Sequence, residues 1–340
     1  MKKENKVDII TVARTAKVSP STVSRSFNHP GLVKATTRKK IDDAVRKLGY
    51  IRNRAAQTIH GIRSGTIGLI VPTIDHTIFA ELIQSFATSV EAHGFTILVA
   101  SHGYSLDREY ALARKMLEHR VDGLAFVGHD HSTDTYELVR QQNTPTILLW
   151  NYAEDSLCPS IGSDNRLAGR LIGQHVAALG HRSIALVFPP LDGNDRASER
   201  RDGVLGALAD AGVSVPADWQ IETRYSVDDA KNAVLTFITQ GNRPTAVICG
   251  NDVLAWGTMH ALARTGLRIP TDVTVTGIGD FKGSGAFEPG LTTVRIPAHQ
   301  IGAQAAEVIA NMITGDAPAA QGVAIRPKII ERKTSTRPAR

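Results

Sequence analysis

From residue 66 onward the chain alternates short β-branched apolar runs with longer stretches whose apolar positions recur every three or four residues. The runs fall at 67–71, 95–100, 123–127 and 146–150, then at 184–188, 219–223, 245–249 and 273–278. Stretches such as 79–93 and 167–179 have the helical period. Strands separated by helices of this length cannot pair as hairpins. They predict parallel sheets covered by helices on both faces, an α/β architecture. Eight such units divide into two lobes of four, with the break near 159–163. Ligands of open parallel sheets bind beyond the carboxyl ends of the strands, so a cleft between the lobes is the expected ligand site.

The charge is divided unevenly. Residues 1–65 carry 15 Lys and Arg against 4 Asp and Glu, a net of +11, while the remaining 275 residues carry a net of −5. A small basic module on a mildly acidic body is the electrostatic footprint of a polyanion partner. No apolar run reaches the ~18–20 residues that span a bilayer, and the polar start, Met1-Lys2-Lys3-Glu4-Asn5, lacks a signal-peptide core. The expected location is the cytoplasm, at the nucleoid, with no membrane partner. Two cysteines, Cys158 and Cys249, make neither a disulfide framework nor a four-thiolate metal site.

The basic module reads as two short helices and a tight turn, followed by a third helix over about 36–48 that Gly49 stops. Asp8 caps the first helix, and Ser19 caps the second, which opens with Pro20. Ala13, Val18 and Val23 are the expected contacts between them. This is helix-turn-helix spacing, in which the second helix enters the major groove. Pro20, Ser21, Thr22, Ser24 and Arg25 then face outward, the hydroxyls toward phosphate and Arg25 toward base edges or phosphate.

Ile10-Thr11-Val12-Ala13, Val18-Ser19-Pro20-Ser21-Thr22-Val23-Ser24-Arg25, Thr37-Arg38, Leu48-Gly49-Tyr50 and Asn53 resemble the head-piece of LacI-type transcription regulators. The likeness continues through Ser64-Gly65-Thr66-Ile67-Gly68, Asp164-Asn165, Leu179-Gly180-His181-Arg182, Asn251-Asp252 and Leu291-Thr292-Thr293-Val294, in order along nearly the whole chain. The resemblance implies a helix-turn-helix head-piece (1–53), a hinge (54–65) and a two-lobed periplasmic-binding-protein-like body of doubly wound parallel sheets (66–340). The first lobe is expected to span about 66–162 and 292–322, the second about 163–291 and 323–340. It also implies a homodimer reading a near-palindromic double-stranded DNA operator. Thr11, Ser19, Pro20, Ser21, Thr22, Ser24, Arg25, Asn28, Asn53, Ala56 and Ile59 fall at DNA-contacting positions. Ile59 stands where the family usually wedges a leucine between base pairs, a strain that needs compensating contacts.

Three departures accompany the likeness. Lys17 replaces the usual turn glycine, forcing a lysine toward a left-handed conformation. Arg52 replaces a proline before Asn53, which is expected to loosen the approach to the hinge. Ile59 is β-branched where leucine is usual.

The resemblance places a small-molecule effector between the lobes, at Phe79, Trp150, Asp164, Arg196, Arg200, Tyr225, Asn251 and Asp280. The strand-end motif usually reads Asp-Asp after an aromatic; here it is Ile278-Gly279-Asp280. Loss of the first carboxylate, together with Arg196 and Arg200 one helical turn apart, suits an anionic ligand, because Arg binds carboxylate with two parallel bonds. Residues 48–51 and 53–55, 92–95, Gly103-Tyr104 and 155–158 are similar to the gluconate-responsive branch. The expected effector is therefore a sugar acid, with a neutral sugar as the alternative.

Other signals carry less. The 277–283 segment has the wrong spacing and position for a dinucleotide loop, and His129-Asp130-His131 reads as a polar cleft loop rather than a metal site. No nucleophile elbow or paired catalytic carboxylate appears, so neither an enzyme nor a cofactor is expected. The rival is a sugar-metabolising enzyme with a basic accessory domain. The C-terminal residues 331–340 contain no leucine heptad, so a dimer rather than a tetramer is expected.

Overall fold

The structure, a computed structural model, describes residues 7–52, 63–75, 77–315 and 322–339, arranged as two compact units, 1–64 and 65–340. Among the described residues no helix is long and apolar enough to cross a membrane.

The first unit is three helices, α1 (Ile9–Ala16), α2 (Pro20–Asn28) and α3 (Ala35–Leu48). Asp8 caps α1, its carboxylate accepting from the Thr11 N–H at 2.8 Å and the Thr11 hydroxyl at 2.7 Å. Those bonds draw the Asp8 carboxyl below its ordinary range. Ser19 caps α2, with Pro20 at its first position. Lys17 does take the left-handed conformation, at φ 55°, and Gly49 ends α3 at φ 61°. Val12, Ala13, Ala16, Val23, Ile41 and Ala44 form the core, with Val18 packed at its edge.

In the body, the first sheet is β1 (Thr66–Val71), β2 (Thr96–Ser101), β3 (Gly123–Val127), β4 (Thr146–Asn151), β5 (Ser160–Ser163) and β11 (Val323–Ala324), ordered β11-β5-β4-β3-β1-β2 and wholly parallel. The second is β6 (Ile184–Phe188), β7 (Gln220–Glu222), β8 (Ala246–Cys249), β9 (Thr274–Gly279), β10 (Thr292–Arg295) and β12 (Lys328–Ile330), ordered β12-β10-β9-β8-β6-β7, with only β12 antiparallel. Helices α4 (Thr77–Ala92), α5 (Leu106–Glu118), α6 (Thr133–Gln141) and α11 (Ala298–Thr314) accompany the first sheet. Helices α7 (Asn165–Ala178), α8 (Asp195–Asp210), α9 (Val227–Thr239) and α10 (Asp252–Arg264) accompany the second.

The eight expected strands are all present, and each sheet gains two that sequence patterning does not reveal. These additions shift two of the expected lobe edges. Thr292–Arg295 runs parallel to β9, so the chain returns to the first lobe after 295 rather than at 292. Val323–Ala324 pairs with β5 in the first sheet, so the final crossing follows 324 rather than 322.

Close helix packing fixes α8. A Cβ on Gly169 of α7 would lie 2.0 Å from the Arg200 carbonyl oxygen, and one on Gly203 would lie 2.1 Å from that of Arg166. Only glycine permits this approach, which sets the start of α8 firmly on the second lobe.

Candidate nucleic-acid interface and effector cleft

In the basic unit, Ser19, Pro20, Ser21 and Arg25 are exposed along one side of α2, while Thr11, Thr22, Ser24 and Asn28 are half-buried. The Ser19 hydroxyl joins those of Ser21 and Thr22 at 2.8 Å each, so the three oxygens form one polar cluster at the helix N-terminus. A helix N-terminus carrying exposed hydroxyls suits a phosphate. Arg25 forms no ion pair among the described residues and projects from the same helix. Lys34, Arg38, Lys39, Lys40, Arg46 and Lys47 are exposed on or beside α3. Thr11 spends its hydroxyl on the Asp8 cap.

Arg52 corrects one expectation. Its guanidinium donates to the Asn28 side-chain oxygen and lies 5.6 Å from the Phe27 ring centroid, while the Asn28 amide donates to Ser24 at 3.4 Å. The residue tethers the chain after α3 to the end of α2 rather than loosening it, because a long cation supplies both a hydrogen bond and a cation–π contact that proline lacks. Asn53, Ala56 and Ile59 lie outside the described residues, as does the expected hinge up to residue 62.

In the body, Phe79, Trp150, Arg196, Arg200, Tyr225 and Asn251 converge on one cavity, joined by Tyr104 and Phe281. Each comes from the carboxyl end of a strand or the helix that follows it. The free space is about 20 Å³, roughly the room one water needs, so a ligand enters only as the walls move. Larger hollows of about 500 and 780 Å³ lie around 152–160 and beside α6. The small cavity is the candidate site, because buried cations and aromatic rings converge on it. Tyr104 and Trp150 hold left-handed backbones, φ 62° and 81°, the kind of strain that persists where function requires it.

The two arginines are not equivalent. Both are 5% exposed, and the expected helical turn separates them. Arg196, however, is neutralised by Asp195 at 2.8 Å and also donates to the Val127 carbonyl at 3.4 Å. Arg200 donates its Nε to the Arg196 carbonyl at 3.0 Å and forms no ion pair among the described residues. The cleft therefore presents one uncompensated guanidinium, not two. Burial raises the Tyr104 phenol well above its ordinary range, which keeps its proton in place.

Two expected contacts fall elsewhere. Asp164 caps α7, accepting from the Leu167 N–H at 2.8 Å. Asp280 bridges Arg295 and Arg332, each at 2.6 Å, outside the cavity lining. Its neighbour Phe281 takes the cleft position. A Cβ on Gly279 (φ 138°) would lie 2.0 Å from the Phe281 ring, so the missing aspartate is a seat for an aromatic face. Asp252, fully buried, fixes that loop by accepting from the Phe281 N–H at 2.7 Å and from the hydroxyls of Ser284 and Thr293 at 2.6 Å each. Gly279 and the left-handed Gly103-Tyr104 pair point to Phe281 and Tyr104 only once the backbone is known. His131 lies between the Glu109 carboxylate at 2.8 Å and the Gly128 carbonyl at 3.0 Å. No group of three metal-ligating side chains occurs among the described residues.

Residues 8–53 match the bacterial regulatory proteins of the lacI family, and residues 174–335 match the periplasmic binding protein-like domain. The chain belongs to the LacI family. It is a DNA-binding transcriptional repressor with an effector-binding body, not an enzyme. The transcriptional repressor PurR of Proteus mirabilis is 28% identical over 325 residues, 95% of either chain. The lac repressor dimer bound to operator and an anti-inducer superposes with a TM-score of 0.85 at 26% identity, covering 98% of this chain and 100% of that one. The regulator GntR of Chromobacterium violaceum gives 0.75 at 26% identity, over 79% and 99%.

Proposed function

We propose that this LacI-family repressor binds a near-palindromic operator as a homodimer and controls genes of carbohydrate or sugar-acid catabolism. A gluconate-like acid in the interlobe cleft releases it from DNA. The observation that carries the effector reading is Arg200: a buried guanidinium with no carboxylate partner among the described residues, facing a cavity of aromatic rings. A buried cation left uncompensated is costly, and a ligand carboxylate offsets that cost with two parallel hydrogen bonds.

Residues 1–53 supply the DNA-binding unit, with Ser21, Thr22 and Arg25 choosing sequence and the lysines and arginines of α3 supplying phosphate contacts. By the same resemblance, Ile59 of the expected hinge contacts the central step of the operator. The operator-bound dimer among the related structures supports this reading. Effector binding must favour one lobe arrangement over the other to act at all.

A second reading has its own observation. Five aromatic rings line the cavity, and such rings stack on the C–H faces of a neutral sugar. Calorimetric titration of the full chain with gluconate, related sugar acids and neutral hexoses decides between them. Binding of an acid that Arg200→Ala abolishes supports the first reading, whereas tight binding of a neutral sugar with no response to acids replaces it.

A further inference from the structure

At the start of α8, whose Arg196 and Arg200 line the cavity, Asp195 and Glu199 lie outside that lining and reach from the second lobe to the first. Asp195 accepts from the His129 N–H at 2.7 Å and from the Asn151 side-chain amide at 2.9 Å with the same carboxylate oxygen. Its other oxygen holds Arg196. One turn later Glu199 offers a second carboxyl to the same Asn151 amide, at 3.5 Å. Asn165, at the start of α7, donates to the Asn151 side-chain oxygen at 2.8 Å and fixes which way that amide points. Donor and acceptor thus lie on opposite lobes, and two carboxyls share one amide nitrogen.

We propose that Asn151, Asp195 and Glu199 form a proton-operated latch between the two lobes: the closed arrangement holds with Glu199 neutral and loosens when Glu199 ionises.

The geometry requires some such coupling. Burial opposes the charge on Asp195, but the Arg196 guanidinium and the backbone N–H groups of His129 and Arg196 outweigh it and hold the carboxyl below its ordinary range. A second negative charge one turn away then repels it through a poorly solvated gap. The groups facing Glu199 are Asp195 on its own helix and Asp164 at the cap of α7, both repulsive, against Arg166 of α7 and Arg200 of α8. Arg200 is turned to the cleft and Arg166 is shared with Asp202 at 3.4 Å. Burial, then the two aspartates, push the Glu199 carboxyl up to about 7. Opening the lobes exposes it and restores its ordinary affinity for protons.

The sign follows from linkage. The closed state binds the proton more tightly, so closure is favoured below the closed-state value and weakens as pH rises through it. Between pH 6 and 8 the closing constant falls by about tenfold, for a carboxyl at about 7 in the closed state and an ordinary one in the open state. Because the effector cavity lies between the same lobes, effector affinity and operator release acquire a pH dependence in the physiological range, even for a ligand that does not titrate there.

The His129 amide reads the latch directly, since its hydrogen is given to Asp195. Hydrogen exchange of the full-length protein, corrected for the intrinsic pH dependence of exchange, is followed at His129 and at Phe126 within β3 as an internal control. The expected result is a roughly tenfold loss of His129 protection from pH 6 to 8, with Phe126 unchanged. Glu199→Gln should hold protection near its pH 6 level throughout. Wild-type protection that stays flat overturns the proposal without recourse to any variant. A slope that survives in Glu199→Gln overturns it too, by assigning the proton elsewhere. Asp195→Asn should lower protection at every pH; unchanged protection there would remove the latch itself.

Discussion

Asp252→Ala is the substitution whose cost the structure defines best. The carboxylate is fully buried and accepts three hydrogen bonds, from the Phe281 N–H and the hydroxyls of Ser284 and Thr293. Bonds to a charged acceptor contribute about 1.5–3 kcal/mol each, so their loss costs roughly 4–9 kcal/mol. Burial pushes the carboxyl up from 3.8 to about 6, its three donors only partly opposing the rise. A raised carboxyl means the folded chain binds the proton more tightly than the unfolded one. That contribution is present in full below pH ~4 and is lost as pH rises to ~6, where it amounts to about 3 kcal/mol. The variant lacks this proton-linked contribution, so it should be less stable than wild type at both pH 5 and pH 7.5, by about 1 kcal/mol more at pH 5. Denaturant titration of the full chain at both values measures it, and Trp256, in edge contact with Phe281 at 6.3 Å, reports the loop by fluorescence. A variant as stable as wild type at pH 5, with its Trp256 signal intact, would refute the assignment of Asp252 as the anchor of the cleft loop.

Three further outcomes are expected. Arg200→Ala should weaken binding of the acid effector by about 2–3 kcal/mol, with Arg196→Ala acting mainly on lobe stability; titration calorimetry showing the reverse order would exchange their roles. Lys17→Gly should stabilise the head-piece by up to about 1 kcal/mol, because glycine takes the left-handed turn without a Cβ penalty, and a lowered melting transition for that unit would contradict the strain at φ 55°. Arg25→Ala should cost about 1–3 kcal/mol on an operator selected from random DNA and relax preference at one position. A uniform loss on all sequences with a shallower salt slope would instead make Arg25 a phosphate contact.

The sequence revealed the elements that bury apolar runs and concealed those that do not. Residues 123–127 and 184–188 are continuous apolar strands and were delimited to the residue. β5, Ser160-Ile161-Gly162-Ser163, and β10, Thr292-Thr293-Val294-Arg295, are four-residue strands rich in hydroxyls, with too few apolar positions to show a period. Apart from Arg295 they are nonetheless buried, because neighbouring strands satisfy their backbone and partners elsewhere in the fold satisfy their hydroxyls, as the Ile325 carbonyl does for Ser163 at 2.6 Å. The caps at Asp8 and Ser19 were visible because capping is a local property of chain order. Phe281 was not, because its place depends on the missing Cβ of a residue two positions earlier and on a carboxylate 29 positions away.

The same distinction explains why the cleft's charge could not be counted from the sequence. Arg196, Arg200, Asp164 and Asp280 all belong to recognisable cleft motifs, and a tally gives two positive charges and two negative ones. The fold removes three of the four. Asp195 neutralises Arg196, α7 occupies Asp164, and Arg295 with Arg332 occupies Asp280, a contact made across the 52 positions between Asp280 and Arg332. After these pairings, Arg200 is the charge that still lines the cavity without an ion-pair partner among the described residues. The neutralising partner of Arg196 is its own chain neighbour, so the first of these pairings was open to inspection. That of Asp164 is a local cap three positions along, whereas those of Asp280 depend on which strands meet in the assembled second lobe.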